Sequence, residues 1–113
     1  ALKLQSEERR KRLQNASVHP AKKQVSVWRY DRNPDVVAEV LLRAQNKCEC
    51  CDAPAPFQRT KDGRYYLEVH HIIPLSENGE DNVDNAIALC PNCHRQEHYG
   101  EPRIDKSWQP GKK

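Results

Sequence analysis

The stretches Glu68-Val69-His70-His71-Ile72-Ile73-Pro74-Leu75 and Cys90-Pro91-Asn92-Cys93-His94 decide how this chain folds. The run from Tyr65 through Ile73 is the strongest strand candidate, because β-branched and aromatic residues dominate it. Pro74 ends it, since proline cannot donate to a ladder. Ala86-Ile87-Ala88-Leu89 is short enough for a second strand. Cys90 then opens a helix with Pro91 at the first position, where a missing N–H goes unmissed. That helix carries His94 and His98 and stops at Gly100, before Pro102. Two strands followed by a helix predict a small α+β unit.

Upstream, Lys61-Asp62-Gly63-Arg64 holds an Asp-Gly turn signal, and Cys48 to Pro56 is a turn region rich in cysteine and proline. Asn33-Pro34-Asp35 reads as a helix start, with Asn33 as N-cap and Asp35 complementing the dipole. Val37, Val40, Leu41 and Ala44 form the apolar stripe of that helix, and Asn46 is its stop. Val25-Ser26-Val27-Trp28-Arg29-Tyr30 alternates as a short strand does. Glu7 to Gln14 favours a helix whose stripe, Leu4 and Leu13, is weak, so it is expected to be exposed; His19-Pro20 breaks it. Trp28 and Tyr99 are expected in the core. From Glu101 onward the chain is tail-like, and Trp108 is assigned no role.

Of 113 residues, 36% are hydrophobic and 31% charged, enough for one domain with a small core that needs a staple. No run of about 18 apolar residues exists, which excludes a membrane-spanning helix. The first ten residues have no apolar h-region, so no signal peptide is expected. Five cysteines, an odd number without a secretory signal, point to reduced thiols binding metal and to a cytoplasmic setting.

Charge is uneven. Residues 1–30 hold eight Lys or Arg against Glu7 and Glu8, whereas residues 31–113 hold eleven bases and fourteen acids. Such a basic arm suits a polyanion, through counterion release from phosphates. Taken alone, the run reads as a solvated helix or tail.

Cys48-x2-Cys51 and Cys90-x2-Cys93 are two knuckle pairs with the spacing that lets both sulfurs of a turn reach one ion. Four thiolates fill a tetrahedral site, so a zinc ion there is structural; Cys50 is the spare. His94 and His98, at i and i+4, share a helix face, and His70-His71 ends the main strand. Three imidazoles plus water make an open, reactive metal site, with the fourth imidazole free as a base.

These residues carry a resemblance. Glu68 to Leu75, then Asn85, then Leu89 to His94 resemble the HNH nuclease motif on a ββα-metal fold. The likeness covers roughly residues 34–100 and extends to the two cysteine pairs. It is most similar to the zinc-bearing HNH domains of bacterial methylcytosine-dependent restriction endonucleases and their stand-alone and phage relatives. With the charge asymmetry and the tail-like end, it divides the chain into a basic N-terminal arm (1–30), an HNH nuclease domain (31–100) and a C-terminal tail (101–113). It implies His71 as the general base; His70, in a position more often Asp, with His94 and His98 as ligands of the catalytic ion; and Asn85 as the brace of the loop. The ion would bind a phosphate oxygen and the leaving 3′ oxygen, giving 5′-phosphate and 3′-hydroxyl ends.

Two points complicate that assignment. Neighbouring strand residues face opposite ways, so His70 and His71 serve one site only at an irregular strand end, and their roles stand open to exchange. An all-imidazole set also suits Mn²⁺ or another divalent transition ion better than Mg²⁺. Arg9, Arg10, Arg12, Lys22, Lys23 and Arg95 are weak candidates for DNA contact. Arg64 reads as a surface cation, and the acidic loop of Glu77, Glu80, Asp81 and Asp84 reads as loop solvation. The leading expectation is a metal-dependent DNA endonuclease, cytoplasmic and bacterial or phage-encoded, nicking or cutting with low specificity. The alternative is a noncatalytic zinc-stabilised DNA-binding module. Monomer or homodimer is left open.

Overall fold

A computed structural model describes residues 2–111. Ala1, Lys112 and Lys113, at the ends of the expected arm and tail, and the side chain of Leu4 lie outside the described residues. The order of elements is α1 (Leu2–Asn15), α2 (Pro34–Ala44), β1 (Glu68–His71), β2 (Ala86–Leu89) and α3 (Pro91–Tyr99). Short 3-10 turns at Leu75–Glu77 and Val83–Asn85 shape the connection between the strands.

β1 and β2 pair antiparallel, with His70 opposite Ile87 and His71 opposite Ala86. Because side chains alternate, this register sorts the residues onto two faces. Val69, His71, Ala86 and Ala88 share one face, and Val69, Ala86 and Ala88 pack with Val36, Val40 and Ala44 of α2. Glu68, His70, Ile87 and Leu89 share the other, where Ile87 and Leu89 pack with Cys48, Ile72 and Cys93. The two-stranded sheet is thus covered by α2 on one side and by the cysteine-bearing start of α3 on the other.

α2 begins as expected: the Asn33 side chain accepts from the Asp35 N–H, and Pro34 is at the first turn. Its buried stripe is Val36, Val40 and Ala44, so Val36 replaces Val37 and the core face follows an i, i+4, i+8 row. The helix ends one residue before Asn46, at Gln45 in the left-handed conformation. Arg43 then ties its last turn to the sheet. The guanidinium makes two bonds of 2.8 Å to the Glu49 carboxylate and donates to the carbonyls of Val83 and Ala86. Glu49 in turn accepts from the Ala88 N–H and donates its own N–H to the Ala88 carbonyl, covering the outer edge of β2.

Three expectations fail. Val25–Tyr30 forms no strand and pairs with nothing among the described residues, and an alternating run without a partner strand cannot satisfy its backbone. Trp28, expected in the core, is 101% exposed, and Tyr99 is 84% exposed. Both sit outside the two clusters that bury the sheet. The main strand is also shorter than Tyr65–Ile73, since Tyr65 makes only an isolated bridge with Gln58. α1 matches its weak stripe: from Gln5 to Asn15 only Ser6 is not fully exposed.

Residues 101–111 contain no helix or strand, yet they are fastened to the body. Glu97 accepts from the N–H groups of Arg103 and Ile104, and Trp108 packs on the second cluster beneath the Arg43 guanidinium. No helix among the described residues is long and apolar enough to cross a membrane.

Candidate metal centres and nuclease site

The four knuckle cysteines meet. Cys48, Cys51, Cys90 and Cys93 bring their sulfurs within 4.8 Å of one another, and Cys51 Sγ lies 4.0 Å from Cys90 Sγ. Sulfurs about 2.3 Å from one tetrahedral zinc lie about 3.8 Å apart, so the donor set fits that ion. Backbone N–H groups already aim at the sulfurs, Cys51 at Cys48 and Cys93 at Cys90. Burial raises the Cys48 thiol, but the backbone groups of Cys51, Cys90 and Cys50 outweigh it and bring it down to about 7. Burial and the neighbouring thiols push Cys93 well up. Arg103, from the segment expected to be a tail, donates to Cys93 Sγ at 2.8 Å. Cys50 stands outside the group of four.

The second set forms on the other side of α3. His70, His94 and His98 place ring nitrogens within 4.8 Å of one another, and His94 Nε2 is 3.1 Å from His98 Nε2. Two nitrogens about 2.1 Å from a shared ion, at angles between 90° and tetrahedral, lie about 3.0–3.4 Å apart, so these imidazoles fit one ion. Burial, then the neighbouring His94 and His98, pushes His70 down to about 4, so its lone pair is available at neutral pH.

Glu68 organises this set. It shares a strand face with His70, and its Oε1 accepts from His94 Nδ1–H at 2.8 Å, which turns Nε2 toward the other imidazoles. Its second oxygen accepts from the Tyr66 hydroxyl, and Tyr66 stacks on Phe57 at 4.8 Å. The Tyr66 hydroxyl above all, opposed by burial and helped by His94, holds the Glu68 carboxyl below the usual carboxylate range.

His71 points away from His70, onto the α2 face, and is only 6% exposed. The same cleft nevertheless touches both residues: it is lined by His70, His71, His94 and His98, together with Tyr30 and Arg32. β1 is paired on one side alone among the described residues, so a cleft at its free edge reaches both faces. His71 Nε2 lies 2.9 Å from Asp81 Oδ1, and Asp81 Oδ2 accepts from the Asn33 N–H at 2.7 Å. The Asn33 N–H, then His71, holds the Asp81 carboxyl below its ordinary range.

Asn85 lies behind the cleft. Its Nδ2 donates to the carbonyls of Ile73 and Glu80, and its Oδ1 accepts from the Ile73 N–H, so the loop after β1 closes on the start of β2. Gly79 is required in that loop, because a Cβ there would lie 1.9 Å from the Ile73 carbonyl oxygen.

Arg95 lines the outer rim with Arg32, His94 and His98. Arg9, Arg10, Arg12, Lys22 and Lys23 are all exposed. Sequence reasoning missed Glu68, Asp81, Arg32 and Arg103. Only Glu68 had a signal, being two residues before His70 on the same strand face.

Comparison with known proteins bears on this arrangement. Residues 48–100 match the model of the HNH endonuclease family. Over 72 residues the chain is 53% identical to the Type IV methyl-directed restriction enzyme EcoKMcrA of Escherichia coli (strain K12), covering 64% of this chain and 26% of that enzyme. It is 33% identical over 69 residues to the Probable mobile endonuclease C of Enterobacteria phage T4, covering 56% of this chain and 31% of that protein. The structure of the Type IV phosphorothioation-dependent restriction endonuclease ScoMcrA matches with a TM-score of 0.55 and 40% identity, over 65% of this chain and 14% of that one. The chain thus spans about a quarter of the Escherichia coli enzyme and less of the solved structure. The match to the HNH endonuclease family falls on the residues that carry the paired cysteines and the converging histidines.

Proposed function

We propose that this chain is a metal-dependent DNA endonuclease domain that hydrolyses phosphodiester bonds. One observation carries the reading: three imidazole nitrogens converge at a cleft that a fourth, buried imidazole also lines. A module that only binds DNA needs the thiolate cluster and has no use for the second set. The endonuclease names of the similar proteins support DNA as substrate.

His70, His94 and His98 hold the catalytic ion, Mn²⁺ or another divalent transition ion in preference to Mg²⁺, and Cys48, Cys51, Cys90 and Cys93 hold structural zinc. Held there, such an ion would supply Lewis-acid stabilisation of the charge that develops on the phosphate. His71 takes the proton of the attacking water, and in-line displacement leaves 5′-phosphate and 3′-hydroxyl ends. Glu68 orients His94, and Asn85 keeps the loop beneath His71 closed. Arg32 and Arg95, on the rim beside the imidazoles, meet backbone phosphates. Arg9, Arg10, Arg12, Lys22 and Lys23 grip the backbone at longer range. Contacts of this kind position without reading sequence, so specificity within this domain is low. One site per chain makes nicking the default outcome, and the setting is the cytoplasm.

Plasmid relaxation with Mn²⁺, Mg²⁺ or EDTA tests the reading. The parent is expected to cut faster with Mn²⁺ than with Mg²⁺ and not at all in EDTA. His71→Ala should stay folded and zinc-bound and cut at least about 100-fold more slowly, the low end for a positioned base. If His71→Ala matches the parent, His71 is not the base. Equal or better cutting with Mg²⁺ would count against three imidazole ligands. DNA binding without cutting in any divalent ion would favour the binding-module reading.

A further inference from the structure

We propose that Asp81 is the positioning residue of the general base, fixing His71 as the Nε2–H tautomer so that the Nδ1 lone pair faces the cleft. The proposal rests on His71 being the base. It begins from the hydrogen bond between His71 Nε2 and Asp81 Oδ1, 2.9 Å long and the only one this ring makes among the described residues. An ionised carboxylate only accepts, so the shared proton sits on Nε2 and Nδ1 carries none in the neutral ring. No described side-chain nitrogen or oxygen is both sealed from solvent and without a partner. His71 Nδ1, which has no partner among the described residues, therefore reaches solvent. The ring as a whole is 6% exposed and lines the cleft of His70, His94 and His98, so that opening is where its free nitrogen meets water.

The carboxylate is held in place from several sides. Its second oxygen takes the Asn33 N–H at 2.7 Å, at the N-cap of α2. The residue before it is fixed through the Glu80 carbonyl by Asn85, and the residue after it caps the next turn, with Asn82 Oδ1 accepting from the Asn85 N–H. Gly79 seats the loop against the Ile73 carbonyl. A group clamped this way does not reorganise when the base picks up a proton, which is what an orienting partner requires. The competing explanation is that Asp81 only fastens the start of α2 through Asn33.

Relaxation kinetics in Mn²⁺ separate the two. Asp81→Ala is expected to lower kcat about 10- to 100-fold, part of what a positioned base supplies, with KM for plasmid and zinc content unchanged. Asp81→Asn keeps an oxygen that accepts from Nε2–H and should recover to within about tenfold of the parent. In a His71→Ala background, Asp81→Ala should change the residual rate less than about twofold, because a residue acting through His71 has nothing left to act on. Nitrogen-15 NMR of the zinc-loaded parent should show His71 as the Nε2–H tautomer. Parent-like kcat in Asp81→Ala beside an inactive His71→Ala overturns the proposal and leaves the base assignment standing. So does an equal loss in both backgrounds, or an Nδ1–H tautomer. Parent-like cutting by His71→Ala removes the base assignment itself, and the proposal with it.

Discussion

Cys93 and His94 are neighbours on one helix, yet they belong to sites of opposite character. The thiol site is closed: four sulfurs converge, Cys48 and Cys93 are buried, and backbone N–H groups and Arg103 surround them. The imidazole site has three nitrogens, an exposed His98 and an adjoining cleft. Ligand number and burial, rather than position along the chain, separate a staple from a reactive centre. The staple joins the end of α2 to the start of α3, segments that share few other apolar contacts. The open site sits where β1 lacks a partner strand, so substrate can approach without unfolding anything.

Breaking the staple should have the largest effect. Cys90→Ser is expected to lose zinc and unfold, since structural zinc contributes about 10–16 kcal/mol in small zinc domains. Metal analysis together with a circular-dichroism melt checks this, and a zinc-loaded variant that melts like the parent would erase the contrast between the sites. A middle-sized effect is expected at the open site. Glu68→Ala removes the partner of His94 Nδ1 and should weaken binding of the second ion about 10- to 100-fold while the fold and zinc persist. Calorimetric titration of Mn²⁺ into zinc-loaded protein measures it; unchanged affinity would mean Glu68 does not orient a ligand. The smallest effect belongs to a region outside both sites. Replacing Arg9, Arg10 and Arg12 together by Ala should lower the slope of log affinity for DNA against log salt by up to about three, leaving zinc content and kcat alone. A slope that does not move would remove the arm from the DNA contact.

Much of this was readable from local spacing. The Cys-x2-Cys pairs and the i, i+4 histidines are legible as ligand pairs because the two members of each lie within about one turn, whereas their joining into sets of four and three is tertiary. The Asn33-Pro34 start, the Ala86–Leu89 strand and the Pro91 start of α3 follow from capping and proline chemistry, and the structure has them there. The helix face was off by one position, because Val36 and Val37 are equally apolar and only the sheet beneath decides which is buried. The Val25–Tyr30 strand failed because alternation alone does not bring a segment to a sheet edge: it pairs with neither β1 nor β2 among the described residues.

The acidic loop shows the limit most clearly. Glu77, Glu80, Asp81 and Asp84 look alike in sequence, and only Asp81 meets a histidine.

The sequence by itself determined which residue types could act as ligands, their local pairing and the order of the elements, since these depend on residue type and on spacings shorter than a helix turn. Tertiary structure decided which groups support that chemistry. Asp81 meets His71 across ten residues and Asn33 across 48, and Glu68 meets His94 across 26. Such pairs form only after the sheet register and the loop closure at Gly79 and Asn85 are set. Short-range periodicity records which side chains share a face; which faces then meet is a property of the packed chain.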